Sequence, residues 1–265
     1  MDTETHFRQP ERTRTTWTLV ILALIIGGIV GWAIFGLLPG KALAEVPVVP
    51  PGAVEEREAL PTSGPEELII PSDVSVFDLR FWKPVPPDRT FNSPVSPVNY
   101  SNYLRVIKKK AVDRLYAHYA TSGLKIDLQC ATHSYRVMRK RQQDIHEGEK
   151  EYAIEIDISK EPMGKSFLVL VQATYWNGFR NRSREDAMTY IDKDSAVPDD
   201  LSLILLLPQK KPVQHLQLDQ SSDEGENWIP YPNQDEAYRD PEGLYAYWGV
   251  RSKKAGNHYR LTWTW

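Results

Sequence analysis

The chain has one cysteine, Cys130, so no disulfide can form within it, and a chain of this length can bury a core without one. Cys130 ends the alternation Leu124, Ile126, Leu128, Cys130, which reads as the buried face of a strand with the thiol as a small hydrophobe. Basic charge is not in excess. There are 32 Lys and Arg against 35 Asp and Glu, a net charge of -3, and phosphate binding needs a basic surface, so nucleic acid is not an expected partner. The dense basic run Arg136, Arg139, Lys140, Arg141 reads as a solvated strand end. No G-x-S-x-G, H-E-x-x-H or C-x-x-C motif occurs, and His6, His118, His133, His146, His215 and His258 lack the spacing of a ligand pair, so no metal and no cofactor is expected. Cys130 and His133 lie three apart on an expected strand, which puts them on opposite faces and argues against a dyad. Gly164-Lys165-Ser166 ends like a phosphate-binding loop, but Ser159 stands where the first glycine belongs and a strand follows, so that site is excluded.

What is present begins with residues 17–38, WTLVILALIIGGIVGWAIFGLL, without charge or proline. As a helix this run spans about 33 Å, matching a ~30 Å hydrocarbon core while satisfying its own backbone. It predicts a single-pass transmembrane helix acting as a signal-anchor. Arg8, Arg12 and Arg14 precede it, so residues 1–16 are expected as a cytoplasmic tail and the rest as extracytoplasmic. Ala23, Gly27 and Gly31 form a small-residue ladder suited to helix–helix packing and self-association. The competing reading is a signal peptide cut after Ala44, whose apolar stretch should be shorter, about 7–15 residues. Twelve of the 20 prolines fall between 39 and 100. Residues 39–72 are therefore expected as a proline-rich linker, an extended spacer. Val74–Trp82 is too apolar for a free linker and should dock on the domain through Phe77, Phe81 and Trp82.

Residues 73–265 are expected as one α+β domain. Leu104, Ile107, Ala111, Leu115 and Tyr119 recur at spacings of three and four, predicting a long helix from Ser101 to Thr121. The period then becomes two. Leu124–Tyr135 and Tyr152–Ile158 predict a hairpin, Phe167–Trp176 and Leu201–Leu207 buried strands, and Ser183–Ile191 a short helix between them. Val213–Leu218, Leu244–Arg251 and His258–Trp265 complete the strands, the last two as a closing hairpin. The architecture expected is one long helix on a mainly antiparallel sheet, or else a β-sandwich with the helix outside it.

Ser221, Asp223, Gly225 and Trp228 fit S-x-D-x-G-x-x-W. The segment resembles the Asp-box, a turn recurring in sialidase-type propellers and other secreted β proteins. The resemblance implies a structural turn without a catalytic role. Its physical sense is that Asp223 accepts backbone N–H groups, Gly225 supplies a positive φ and Trp228 packs under the hairpin. A calcium loop is the alternative for these acids, but Gly225 falls one residue late for EF-hand spacing. Tyr245, Tyr247, Trp248 and Trp263 read either as packing within the closing hairpin or as an aromatic binding surface.

Function follows from this organisation: a membrane-anchored extracytoplasmic domain that binds or scaffolds, as a subunit of an envelope or membrane complex. Its partners would be membrane lipid through residues 17–38 and one or more proteins. The rival is a membrane-tethered hydrolase or carbohydrate-binding protein with Asp235, Glu236, Asp240 and Glu242 as candidate carboxylates. A third reading is an effector targeted to the cytoplasmic face of a membrane.

Overall fold

The computed structural model describes residues 54–85, 94–141, 150–179, 184–209, 213–223 and 225–265. The tail 1–16, the apolar stretch 17–38 and its Ala23–Gly27–Gly31 ladder lie outside them. The described chain is built of strands: β1 (Glu55–Arg57), β2 (Leu68–Asp78), β3 (Pro97–Lys108), β4 (Arg114–Thr121), β5 (Lys125–Cys130), β6 (Tyr135–Lys140), β7 (Lys150–Asp157) and β8 (Ser166–Trp176). There follow β9 (Glu185–Tyr190), β10 (Asp200–Leu206), β11 (Gln214–Ser221), β12 (Ile229–Pro230), β13 (Ala237–Arg239), β14 (Tyr245–Val250) and β15 (His258–Thr264).

Four expectations are corrected. Residues 101–121 are no helix but most of β3 and β4, joined by a turn. The α+β class gives way to an all-β one, and among the described residues the only helical element is the single turn Gln234–Glu236. The reason lies in the same residues. Val98, Tyr100, Asn102, Leu104, Val106 and Lys108 alternate inward, all buried, and the β-branched and aromatic residues around them prefer a pleated surface. The residues that gave the helical spacing are split by the turn, with Leu104 inward on β3, Leu115 and Tyr119 inward on β4, Ile107 off the inward face and Ala111 in the turn itself. Ser183–Ile191 is likewise overturned, since β9 occupies its described part. The transmembrane signal-anchor finds no counterpart here: among the described residues no helix is long and apolar enough to cross a membrane.

The strands form three sheets among the described residues. The large one has seven strands in the order β13-β14-β10-β2-β3-β8-β5. Two four-stranded sheets, β1-β6-β7-β4 and β12-β11-β15-β9, are the small ones. Both expected hairpins are therefore broken between sheets. β5 pairs with β8 while β7 pairs with β6 and β4, and β14 pairs with β10 while β15 pairs with β11 and β9.

Register decides which residues face inward. Trp248, Leu203, Ser75, Asn102, Val171 and Cys130 are cross-strand partners in one row of the large sheet, and all are buried. The first small sheet packs against this face through Tyr119, whose ring lies 5.7 Å from that of Tyr100. The second packs through Tyr259 and Trp263, with Tyr259 6.1 Å from Trp248 and Trp263 5.8 Å from Phe179. The resulting layer is one continuous apolar core, and its burial is the dominant favourable term in folding. Phe77 and Trp82 belong to it, whereas Phe81 is 75% exposed.

β4 and β9 are edge strands of the two small sheets, and a seam of polar contacts runs from β4 to Asp192, just past the end of β9, and to residues 61–63. His118 on β4 approaches Asp192 Oδ2 at 3.0 Å with Nδ1 and the Pro61 carbonyl at 2.8 Å with Nε2. The amide of Tyr116 donates to Ser63 Oγ at 2.9 Å. Residues 61–63 thus run beside the edge of β4, so part of the proline-bearing stretch lies within the folded unit.

Candidate functional site

The outward face of the large sheet carries the aromatic residues. One of its rows runs Tyr238, Tyr247, Ile204, Val76, Ser101, Gln172, Gln129 across seven strands. The row beside it begins with Tyr245 and Leu206. On the other side stand Gly249, Ser202, Val74, Tyr103 and Leu170. Tyr238 is 47% exposed, Tyr247 36%, Tyr103 41% and Leu168 50%. The face is aromatic and aliphatic at the β13–β14 end and polar at the β5 end, where Gln129 Nε2 donates to Gln172 Oε1 at 3.0 Å.

Three tyrosines make its densest patch. Tyr238 and Tyr245 have ring centroids 5.8 Å apart. Burial, the neighbouring Tyr238 ring and hydroxyl, and the charge of Asp240 together raise the Tyr245 phenol above its ordinary value. Tyr247 lies along its own strand over Gly249: a Cβ at Gly249 would come within 2.7 Å of the Tyr247 hydroxyl. That hydroxyl is also 3.3 Å from Ser202 Oγ. A glycine in the strand thus leaves room for a ring to lie flat on the sheet, presenting its face outward.

Of the four aromatics singled out in the sequence, Tyr245 and Tyr247 stand on this face. Trp248 and Trp263 are fully buried, on different sheets. Alternation along β14 separates Tyr247 from Trp248, since neighbouring residues point to opposite faces. Tyr238 and Tyr103 were not singled out. The signal for Tyr238 was its place in a short exposed strand, but register alone sets it opposite Tyr247.

The Ser221–Trp228 turn joins β11 to β12, which pair antiparallel through Gln220 and Ile229. Ser221 Oγ donates to Asp223 Oδ1 at 2.5 Å and accepts the Gly225 N–H at 3.1 Å. Asp223 accepts the Asn227 N–H at 2.9 Å and its side-chain amide at 2.6 Å. The Ser221 hydroxyl first, then these Asn227 donors, hold the Asp223 carboxyl down to about 2. Gly225 has φ +87°. The Arg260 guanidinium sits 4.0 Å above the Trp228 ring and bonds Asp219 at 3.0 Å, as does Arg184. All of these groups hold the turn and its neighbouring strand, and none presents a reactive atom.

The carboxylates of the rival hydrolase reading support the local backbone. Glu236 accepts the Arg251 N–H at 3.4 Å, and Asp240 accepts the Leu244 N–H at 3.1 Å. The tryptophan that would line their cleft, Trp248, is in the core. Among the described residues no group of three or more His, Cys, Asp or Glu is placed to hold a metal ion.

No family model matches the chain, and no curated protein matches it. Among solved structures the chain is similar to that of a mutant M1 zinc metallopeptidase from Deinococcus radiodurans, with a TM-score of 0.34 and 8% sequence identity. The overlap covers 77% of this chain and 44% of that one, so the chain spans less than half the length of the peptidase. A likeness this slight carries no argument about chemistry.

Proposed function

We propose that this chain is a binding or scaffolding domain on the extracytoplasmic side of a membrane, a subunit of a larger envelope or membrane complex. It docks a protein partner through the outward face of the seven-stranded sheet. The observation that carries this reading is the patch of Tyr238, Tyr245 and Tyr247 on that face, with two of its rings more than one-third exposed. Tyrosine offers a large, stiff, amphipathic contact at low cost in side-chain entropy, which is why it is enriched at interface anchors. The uncharged run 17–38 supports contact with lipid, and the arginines before it support an exported domain.

The test is co-purification after mild detergent extraction, comparing the native chain with a Tyr238→Ser, Tyr247→Ser double variant. Loss of aromatic anchors is expected to weaken the complex by about 10- to 100-fold. The thermal midpoint should change little, because exposed side chains add little to stability. A variant that keeps its partners at native affinity, or a native chain that extracts as a solitary monomer, overturns the reading. Binding to glycan surfaces alone, without protein, supports the carbohydrate-binding rival instead.

A further inference from the structure

The turn between β5 and β6 brings together Cys130 and His133, which the sequence reading had separated, with Thr132 and Glu161 beside them. β5 ends at Cys130, and residues 131–134 form a turn, so strand alternation stops one residue before it would have placed Cys130 and His133 on opposite faces. Cys130 Sγ lies 3.6 Å from Thr132 Oγ1. Thr132 Oγ1 is 2.8 Å from His133 Nδ1, and His133 Nε2 is 3.2 Å from Glu161 Oε1. Glu161 comes from a separate turn, between β7 and β8, held by its own amide donating to the Ile158 carbonyl at 3.0 Å.

The turn is fixed from behind. Ala131 N–H donates to the Leu170 carbonyl at 2.8 Å, and Leu170 N–H returns to Thr132 Oγ1 at 3.1 Å. With its lone pairs receiving Leu170 N–H and His133 Nδ1–H, the Thr132 hydroxyl has its proton free to point at the sulfur. The order of groups is then carboxylate, imidazolium, hydroxyl, thiolate, each donor facing an acceptor. This arrangement has the parts of an activated nucleophile, with the base oriented by a third group and reached through one hydroxyl.

We propose that Cys130, Thr132, His133 and Glu161 form an activated-thiol site that undergoes exchange with low-molecular-weight disulfides. From the neutral form, in which His133 carries its proton on Nε2, the Cys130 proton passes to Thr132 Oγ1 as the threonine's own proton passes to His133 Nδ1, giving the thiolate and imidazolium. The thiolate attacks one sulfur of the disulfide, forming a Cys130 mixed disulfide. The other sulfur leaves as a thiolate and takes up the proton from His133. The thiolate's electron pair makes the new S–S bond and the pair of the old S–S bond departs with the leaving sulfur, so Cys130 is oxidised as that sulfur is reduced to a thiol. With a single cysteine in the chain, the mixed disulfide persists until an external thiol removes it.

The electrostatics agree. Burial pushes the Cys130 thiol up, but the His133 ring, the Thr132 hydroxyl and the backbone N–H groups of Thr132 and His133 outweigh it and hold the thiol below its ordinary range. The contact with Cys130, and after it Glu161, raise the His133 imidazole against its burial. Both shifts favour the thiolate–imidazolium pair at neutral pH. Cys130 is 8% exposed, with Ala131 and Thr132 exposed beside it.

The test is the rate at which the folded chain reacts with an aromatic disulfide, followed between pH 5 and 9 by the released thiol and by intact mass. The native profile should rise at a pH below that of an ordinary thiol, which lies near 8.5. His133→Asn and Thr132→Val should move the rise upward and slow the reaction at pH 7 by about tenfold, the effect of one pKa unit. Thr132→Ser keeps the hydroxyl and should keep the native profile. Glu161→Gln should give an intermediate one. The proposal is overturned if the native protein reacts only after unfolding in denaturant, or if Thr132→Ser and Thr132→Val share one profile. Should His133→Asn fail to fold, the threonine pair still decides.

Discussion

Asp73 faces the core of the large sheet, where burial raises its carboxyl to about 6 and the Asn102 side-chain amide at 2.5 Å only partly offsets that. Asn102 in turn accepts from the Tyr119 hydroxyl at 3.0 Å, and Ser75 bonds the Tyr100 hydroxyl at 2.8 Å. The folded chain therefore holds a proton more tightly at Asp73 than the unfolded chain does. Between about pH 4 and 6 stability falls as pH rises, and above that window the carboxylate is a constant burden. Asp73→Asn keeps the shape and removes the charge. It should raise the thermal midpoint at pH 7, by the equivalent of about 1–3 kcal/mol, and match the native chain at pH 4. Melting curves at the two pH values check it. Asp223 runs the other way: with its carboxyl held down to about 2, its contribution is present above about pH 4 and disappears as pH falls toward 2. Of these residues, Asp223 was legible in the sequence because its partners are within four positions. Asp73 was not, because Asn102 reaches it from another strand and is itself held by Tyr119 from another sheet.

At the scale of elements, seven of the fifteen described strands could be read in the sequence: β5, β7, β11, β14 and β15 coincide with expected strands, and β8 and β10 with continuous apolar runs. Their partners could not, since Leu244–Arg251 and His258–Trp265 look like a hairpin and belong to different sheets. Pairing depends on which inward faces complete the core, and a short turn does not fix that. The helix expected over 101–121 failed because its spacing joined Leu104 on β3 to Leu115 and Tyr119 on β4 through Ile107, off the inward face, and Ala111, in the turn between the strands. The binding face shows the same division. Tyr245 and Tyr247 were visible in the sequence, whereas the tilt of Tyr247 over Gly249 depends on a close approach that no spacing reports. Gly249→Ala should push the Tyr247 ring off the strand, since only the mobile end of that side chain obstructs a methyl. Partner affinity should fall several-fold, while stability shifts by less than about 1 kcal/mol. In the β11–β12 turn, Gly225→Ala places a side chain at φ +87° and should cost about 1 kcal/mol in denaturant titrations.

For the whole molecule the seam between the two small sheets matters most. Both ring nitrogens of His118 face acceptors, a carboxylate and a backbone carbonyl, so the imidazole is satisfied only when it carries two protons. Burial works against that charge, but Asp192, the Pro61 carbonyl and Glu151 raise its pKa above the ordinary value. The seam is therefore fully closed below about pH 6.5 and loses this contribution as pH rises through the raised folded value. His118→Gln should melt lower than the native chain at pH 6, by the equivalent of about 1 kcal/mol, and the gap should narrow by pH 9.

The same region decides how the domain answers to load. β1 joins its sheet by three residues, parallel to β6, and the chain then runs past Pro61 and Ser63 into the eleven residues of β2. A pull on the N-terminal end arrives first at this short splice, far weaker than the long central strand behind it. The splice would part under modest tension and lengthen the leash, sparing the sheet that bears the tyrosines. In an optical trap, stretching from residue 54 against residue 265 should show a small early yield before the main rupture.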